Sequence, residues 1–475
     1  MESFTAFLDK VDGFVWGVPL IALILAVGLW LTIRSGGIQF KKLGLAFKYA
    51  FKPDSSGEGD VSSFGALCTA LSATIGTGNI VGVATAICAG GPGALFWMWV
   101  AALLGTATKY AECLLATKFR TMAEDGHVLG GPFYYIENGL GPKWKWLGKL
   151  FAVLGVGAGV LGIGTITQIN GITSAVENFV DPEKAHTIAL FGNNYSWAVV
   201  ISGIIVTVCV ALVVIGGIKR ITKVSEIVVP FMAILYIVVA VVILLCNIKN
   251  IPAAFVEIVQ SAFGLRAAAG GALGAMVMAM QKGIARGIFS NEAGLGSAPI
   301  AACAAKVDSP AKQGLISMTG TVIDTLIICT MTGLCIVVTG AHNAAAELGL
   351  EGSQVTNYAF QNGLPLPAKV GSFILMVCLA FFAFTTILGW DYYSEKCLEY
   401  LTGGKMGPVK VYRWIYILAV FVGPFLTVSA VWTIADIFNG LMALPNLVAL
   451  FALGGVVAAE TKIYMDSLKE EKKAK

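Results

Sequence analysis

"SATIGTGNIVG", residues 72–82, places three glycines and an asparagine inside a stretch greasy enough to cross a bilayer. In hydrocarbon every unpaired backbone group costs several kcal/mol, so irregular backbone survives there only where it is buried in protein or lines a cavity. Gly76 and Gly78 weaken a helix, yet they let amides and carbonyls turn toward a ligand. Two half-helices meeting at such a break present opposite dipole ends. The amino-terminal end suits a carboxylate, and the freed carbonyls suit a cation. Thr77 adds a hydroxyl and Asn79 a side-chain oxygen. On this segment alone, close helix packing through small residues stays open as the plainer reading.

Composition sets the surroundings. The chain has 475 residues, of which 57% are hydrophobic and 13% charged. A soluble domain carries roughly a quarter charged residues, so this is an all-α integral membrane protein. Trp197 to Ile218 has no charge, against the ~20 residues a crossing needs. Eleven helices are expected, near 14–34, 61–90, 94–119, 149–179, 196–218, 224–247, 270–303, 313–340, 368–400, 411–431 and 437–460. The runs are of helix length, and alternating strand patterns that would argue for a barrel are missing. The first follows the acidic "MESFTAFLDKVD" with no basic region or small-residue cleavage site, so it reads as a retained helix. Ten scattered cysteines form no CxxC pair, and His127, His186 and His342 lie far apart in loops. Neither pattern makes a metal or catalytic centre.

Lysine and arginine fix the direction, because cytoplasmic loops hold their excess. The first loop carries Arg34, Lys41, Lys42, Lys48 and Lys52. Alternate loops carry Lys118, Arg120, Lys143, Lys145 and Lys149, then Lys219, Arg220 and Lys223, then Lys306 and Lys312, then Lys396, Lys405, Lys410 and Arg413. The tail "KIYMDSLKEEKKAK" adds five lysines, while the opposite side holds little beyond Lys184, Lys249 and Arg266. The amino terminus is expected outside and the carboxyl terminus in the cytoplasm of a cell with this protein in its plasma membrane. The net charge of +4 is then a topology signal and no argument for nucleic acid. No Walker A motif or nucleotide domain occurs, and no extramembrane segment could house a catalytic domain, so the chain is not read as an enzyme.

A second interrupted span, "AMVMAMQKGIARGIFSNEAGLGSAP" (275–299), opens a second set of five helices. Its break is expected within about Val277–Arg286. Paired breaks at corresponding places of two halves point to a transporter site. The organisation expected is an extra helix with a basic loop (1–52), a first five-helix repeat (53–247), a second (248–460) and a cytoplasmic tail (461–475). Counted from the second helix, the breaks fall in core helices 1 and 6.

"GTGNIVGVATAICAGGPGALFWMWVAALLGTATKYAECLLATKFR" (76–120) and "RGIFSNEAGLGSAP" (286–299) resemble the two signatures of the alanine or glycine:cation symporter family. The layout is similar to the wider leucine-transporter fold, in which a glycine-containing break in core helix 1 precedes a glycine-rich turn, here "AGGPG" at 89–93. The resemblance implies a 5+5 inverted-repeat core and sodium-coupled symport of alanine or glycine into the cell by alternating access, with the monomer as working unit. A proton-coupled transporter and, further off, an ion channel are the alternatives.

Candidate site residues follow from both lines. Thr77, Gly78, Asn79, Gln168, Met276 and Gln281 are assigned to the substrate, with Met278, Phe289 and Trp390 around them. Gln168 and Asn170 are two apart and so on different helix faces, and Gln168 is the one chosen. Paired hydroxyls lie opposite the core helix 1 break in relatives of this fold. The resemblance therefore assigns a sodium ion to Thr385, Thr386 and the carbonyls of Ser72 and Ile75; bonding of those hydroxyls to their own helix is the plainer alternative. Among intramembrane charges, each a functional candidate, Lys109 and Glu112 can pair and are read as structural or gating residues contacting the broken helices near the cytoplasmic end. Asp324, isolated, is expected to face the core, in a cation or proton role or bonded to neighbouring hydroxyls. Lys282 and Arg286 are expected at the cytoplasmic gate, with Asp391 pairing such a cation.

Overall fold

A computed structural model describes residues 2–52, 57–123, 126–190, 193–265, 271–426 and 428–474. Arg266 and the repeat boundary at Pro53 lie outside the described residues. Among the described residues, eight helices are long and apolar enough to cross a membrane, nine if Ser63–Thr74 and Gly78–Gly90, bent by 51°, count as one. Gly93–Lys118 and Ala272–Asn291 are not in that set. They carry Lys109 and Glu112, which are buried, and Lys282 and Arg286, which are exposed and partly buried. The helices at the rim show what faces lipid: Ile227, Phe231, Ile234 and Val238 on one, Val411, Trp414, Ile415 and Leu418 on another, all exposed. Single-sided exposure of such residues at helical spacing is how a span meets hydrocarbon.

A first helix, Glu2–Val15, turns at Gly17 into Val18–Arg34, which packs on Gly93–Lys118 and Val428–Ala452. Two short helices, Ile38–Lys41 and Leu43–Phe51, lead into the core. The core helices are then, in order, Ser63–Gly90 with its break, Gly93–Lys118, Lys145–Val180, Trp197–Val214, Gly217–Cys246, Ala272–Ala302 with its break, Pro310–Val338, Ala368–Leu401, Met406–Val422 and Val428–Ala452. The segment expected as a tail, 461–475, belongs to a helix that runs from Gly454 to Ala474, and Lys118 Nζ bonds Glu460 on that helix at 2.6 Å. Among the described residues, strand is confined to two antiparallel hairpins, Thr121–Met122 with Val128–Leu129 and Thr187–Leu190 with Asn193–Ser196.

Three departures from the expected helices matter for the site. Core helix 6 runs unbroken through Val277–Arg286 and opens later, at Glu292–Ser297, where Glu292, Gly294 and Gly296 have φ of 58°, 91° and 82°. Core helix 3, expected continuous over 149–179, stops at Leu161 and restarts at Ile166. Its intervening residues are held by Tyr416, whose hydroxyl donates to the Gly164 carbonyl at 2.8 Å. Lastly, two stretches wind as π-helix, Gly78–Gly82 in core helix 1 and Val322–Cys329 in core helix 7. π turns widen the ladder and recur at functional positions.

Candidate functional site

The break in core helix 1 is a set of rerouted backbone bonds. In an unbroken helix the Gly76 amide would bond the Ser72 carbonyl and the Asn79 amide the Ile75 carbonyl. Here Gly76 N–H donates to Asn79 Oδ1 at 2.8 Å, and Asn79 N–H donates to the Gly76 carbonyl at 3.2 Å. Thr77 N–H donates to Gln168 Oε1 at 3.1 Å. The Ser72 and Ile75 carbonyls are thereby released from the ladder. Thr386 Oγ1 donates to the Ile75 carbonyl at 3.2 Å and also lies 3.0 Å from the Phe382 carbonyl of its own helix. Thr385 turns the other way: its hydroxyl bonds the Phe381 and Phe382 carbonyls and sits 3.5 Å from Met232 Sδ. Of the two neighbouring threonines, the geometry brings one to the break.

The two π segments meet at a carboxylate. Asn79 Nδ2 donates to Asp324 Oδ1 at 2.7 Å, and Ser290 Oγ and Thr325 Oγ1 donate to Asp324 Oδ2 at 2.9 and 2.7 Å. Asp324 therefore joins core helices 1, 6 and 7, and it is fully buried. Of its partners, Thr325 is the next residue, whereas Asn79 and Ser290 lie 245 and 34 residues away in sequence, which no local pattern reveals. Ser290 had no such signal either.

The break in core helix 6 has its own frame. Asn291 Oδ1 accepts from the Ala293 amide at 2.9 Å, and Glu112 Oε1 accepts from the Gly294 amide at 3.0 Å. Asn446 donates to Glu112 at 2.5 Å and to the Gly294 carbonyl at 2.9 Å, while the Tyr135 hydroxyl donates to Asn446. Because the break lies at 292–297, Met276 and Gln281 belong to the long half-helix before it. They are only partly buried and separated from the break by several turns. The structure does not bring them to Thr77, Gly78, Asn79 and Gln168, which it does bring together. Trp390 is fully buried but packs against Gly164 and Tyr393.

A vestibule of 860 Å³ opens at one end of the bundle. Glu177, Asn178, Lys184 and Gln354 line its mouth region, and Val81, Asn170, Gly171 and Trp432 its depth. A Cβ built on Gly171 would meet Thr77 Cγ2 at 2.6 Å, so this wall adjoins the core helix 1 break. Phe289, 3.3 Å from a Cβ built on Gly78, stacks on Trp432 with ring centroids 5.6 Å apart. Arg286 covers both rings and pairs with Asp436 at 2.7 Å. Arg286 thus stands at the vestibule, not at the lysine-rich end where it was expected. Trp432 and Asp436, in an ordinary-looking apolar helix, gave no sequence signal.

The opposite, lysine-rich end is tied by polar contacts beside a cavity of 480 Å³ lined by Asp60, His127, Lys396, Glu399 and Arg413. Arg120 donates to the carbonyls of Cys303, Ala305 and Glu58 at 2.7–2.8 Å, and Val61 bridges to Ala305. Lys396 pairs with Glu399 at 2.8 Å, and His127 Nε2 lies 2.6 Å from Glu399 Oε1. Two expected pairs do not form. Lys109 and Glu112 make no direct contact, since the carboxylate is drawn to Gly294 and Asn446. Asp391 lies near Glu395 and Arg413, with the guanidinium bonded to Glu395, far in the fold from Lys282 or Arg286.

No group of three or more histidine, cysteine, aspartate or glutamate side chains that could hold a metal ion occurs among the described residues. A sodium ion would rest instead on carbonyl, hydroxyl and single-carboxylate oxygens, the hard donors that such a cation takes, and these are what the break presents.

The chain matches the model of the sodium:alanine symporter family over residues 1–475. It is 54% identical over 463 residues to an uncharacterized transporter of Haemophilus influenzae, covering 97% of this chain and 96% of the relative. It is 46% identical over 477 residues to the sodium/alanine symporter AgcS of Methanococcus maripaludis, covering 99% of each. Among solved structures, MhsT in complex with L-phenylalanine is similar at a TM-score of 0.56 and 14% identity, covering 86% of this chain and 99% of that one. That likeness is one of fold.

Proposed function

Because the chain belongs to the sodium:alanine symporter family, and so performs sodium-coupled amino-acid symport across a membrane, we propose that the paired breaks hold its cargo and that this cargo is alanine or glycine. The observation that carries the reading is the rerouting of the Gly76, Thr77 and Asn79 amides, which frees carbonyls beside a hydroxyl and a carboxylate at membrane depth. The substrate carboxylate is received at Thr77 and Gly78, where the buried Thr77 hydroxyl has no partner, while Gln168 holds the Thr77 amide. Sodium rests on the Ser72 and Ile75 carbonyls and Thr386. Asp324 supplies the negative charge that draws a second cation or deepens the pull on the first. With the basic loops in the cytoplasm, the vestibule faces outside and the lysine-rich end inside, so the fold is poised to load from the exterior. Uptake then requires the Arg120 and Glu399 contacts to part after loading.

Labelled alanine uptake into proteoliposomes, with and without a sodium gradient, tests this. Saturable uptake that needs sodium is expected. Linear flux without saturation would favour a channel, and uptake driven equally by a proton gradient without sodium would favour the proton-coupled alternative. Within that assay the two threonines separate: Thr386→Ala is expected to raise the sodium concentration for half-maximal uptake roughly tenfold or more, the cost of about one charge-assisted oxygen contact. Thr385→Ala should shift it much less. Equal effects would move the cation away from the Ile75 carbonyl.

Side-chain selection follows from Phe289 and Trp432. They close the space beside Gly78, and forcing extra methylenes into a filled site costs about 1–3 kcal/mol. Alanine, glycine and serine are expected to compete for uptake, and leucine to compete at least about tenfold more weakly. Strong inhibition by leucine would show a roomier pocket.

A further inference from the structure

Lys109 is the strangest charge in the bundle. It is 2% exposed, sits mid-way along core helix 2 and has no hydrogen-bond partner at Nζ. It lies level with the break of core helix 6. A Cβ built on Gly105, one turn earlier, would meet Ala293 Cβ at 2.9 Å, and one on Gly294 would meet Thr108 Cγ2 at 3.9 Å. Three fully buried carboxylates share this level, those of Glu112, Glu292 and Asp324, and the Lys109 ammonium is a positive charge acting on all of them. Two of the three are otherwise provided for. Glu112 Oε1 accepts from Gly294 and Asn446, and Asp324 accepts from three side chains. Glu292 is different: Ser297 and Trp390 approach its carboxylate, yet neither oxygen completes a hydrogen bond.

A carboxylate left so in a membrane interior costs several kcal/mol unless a cation answers it. A mobile sodium ion is disfavoured there, because the ammonium already fills the neighbourhood with the same charge. We propose that Lys109 is a resident counter-ion for Glu292, standing where a carrier without it would need a further bound cation, and so positioning the break of core helix 6. The ammonium makes no direct ion pair with either glutamate, and Glu112 Oε2, Ser297 Oγ and Thr321 Oγ1 are likewise unpartnered. This rests on the reading of the breaks as the transport site, but its charge arithmetic can be measured without transport.

The test combines melting temperature with alanine binding in sodium, on purified full-length protein. Lys109→Met should lower the melting temperature and weaken alanine binding roughly a hundredfold, the usual consequence of stranding one partner of a buried pair. Lys109→Met with Glu292→Gln, which removes both members of the proposed pair, should recover most of both. Lys109→Ala should be stabilised by millimolar methylammonium or potassium, neither of which should affect the wild type. A Lys109→Met protein indistinguishable from wild type would overturn the proposal. So would a double variant as damaged as the single one. If the wild type itself gained no stability from alanine, the transport-site reading would fail, while recovery of melting temperature in the double variant would still decide the counter-ion.

Discussion

Gly76→Ala is expected to abolish sodium-stimulated alanine uptake while leaving a folded protein. A Cβ at this position would lie 2.4 Å from Thr386 Oγ1, 3.0 Å from Gln168 Oε1 and 3.2 Å from Thr386 Cβ. Neither neighbour can swing away freely. Thr386 is β-branched, within a helix and fully buried, so its χ1 is confined, and Gln168 is pinned at both ends of its amide, by Thr77 and by the Ile163 carbonyl. Overpacking of this kind costs about 1–3 kcal/mol. The displacement falls on the two contacts that define the break, the Ile75 carbonyl with Thr386 and the Thr77 amide with Gln168. Affinity for sodium and alanine should both drop, each roughly tenfold or more. Gly78→Ala meets the Phe289 ring and Ser290 Cα at 3.3 Å and Ser290 Cβ at 3.5 Å, approaches looser than those at Gly76, so its effect should be milder. Melting temperature and affinity measured on the same sample separate this from simple packing. A Gly76→Ala protein that melts early yet binds alanine and sodium normally would show that the glycine serves helix contact alone.

The first break was legible because its cause is local. Two glycines and a short polar side chain within four residues disrupt the ladder by themselves, and Asn79 caps the disruption at close range. Gln168 was also legible, since helical spacing separates it from Asn170, and the structure places Asn170 on the vestibule wall instead. The second break was misplaced for an instructive reason. Gly283 and Gly287 look like helix breakers, but Gly283 is a packing glycine: a Cβ there would stand 2.2 Å from the Ala94 carbonyl oxygen. What opens the helix is Glu292 in a left-handed conformation, followed by Gly294 and Gly296. A glutamate at positive φ has no sequence signature, because only surrounding structure holds a non-glycine residue there. The interruption of core helix 3 went unseen on similar grounds. Gly162 and Gly164 sit in a run of glycines whose other members, such as Gly155 and Gly159, are helical and pack against Cys397 and Ser394. Sequence shows where a helix is weak; which weak point yields depends on the neighbours.

Asp324→Asn is expected to fold and yet require far more sodium. The wild-type carboxylate accepts from Asn79, Ser290 and Thr325, one donor on each of core helices 1 and 6 and one on its own helix 7. An asparagine can keep this lattice almost whole. Its Oδ1 accepts from Asn79 Nδ2, and its Nδ2 faces two hydroxyls, which can turn to accept. What disappears is the charge. At a separation of several ångströms and an effective dielectric of about 20, a carboxylate attracts a monovalent cation by on the order of 2–4 kcal/mol. The sodium concentration for half-maximal alanine binding should therefore rise at least about thirtyfold, with a melting temperature close to wild type. Asp324→Ala supplies the contrast. It removes the strongest acceptor of the Asn79 amide, leaving the Asp324 backbone carbonyl at 3.3 Å and Cys329 Sγ at 3.4 Å, and opens the junction of the two π segments, so it should lose stability as well as coupling. The two variants together distinguish a carboxylate that ties helices from one that also attracts the ion. If Asp324→Asn kept the wild-type sodium dependence, Asp324 would be a structural knot, and the cation would rest on the Thr386 and Ile75 oxygens without it.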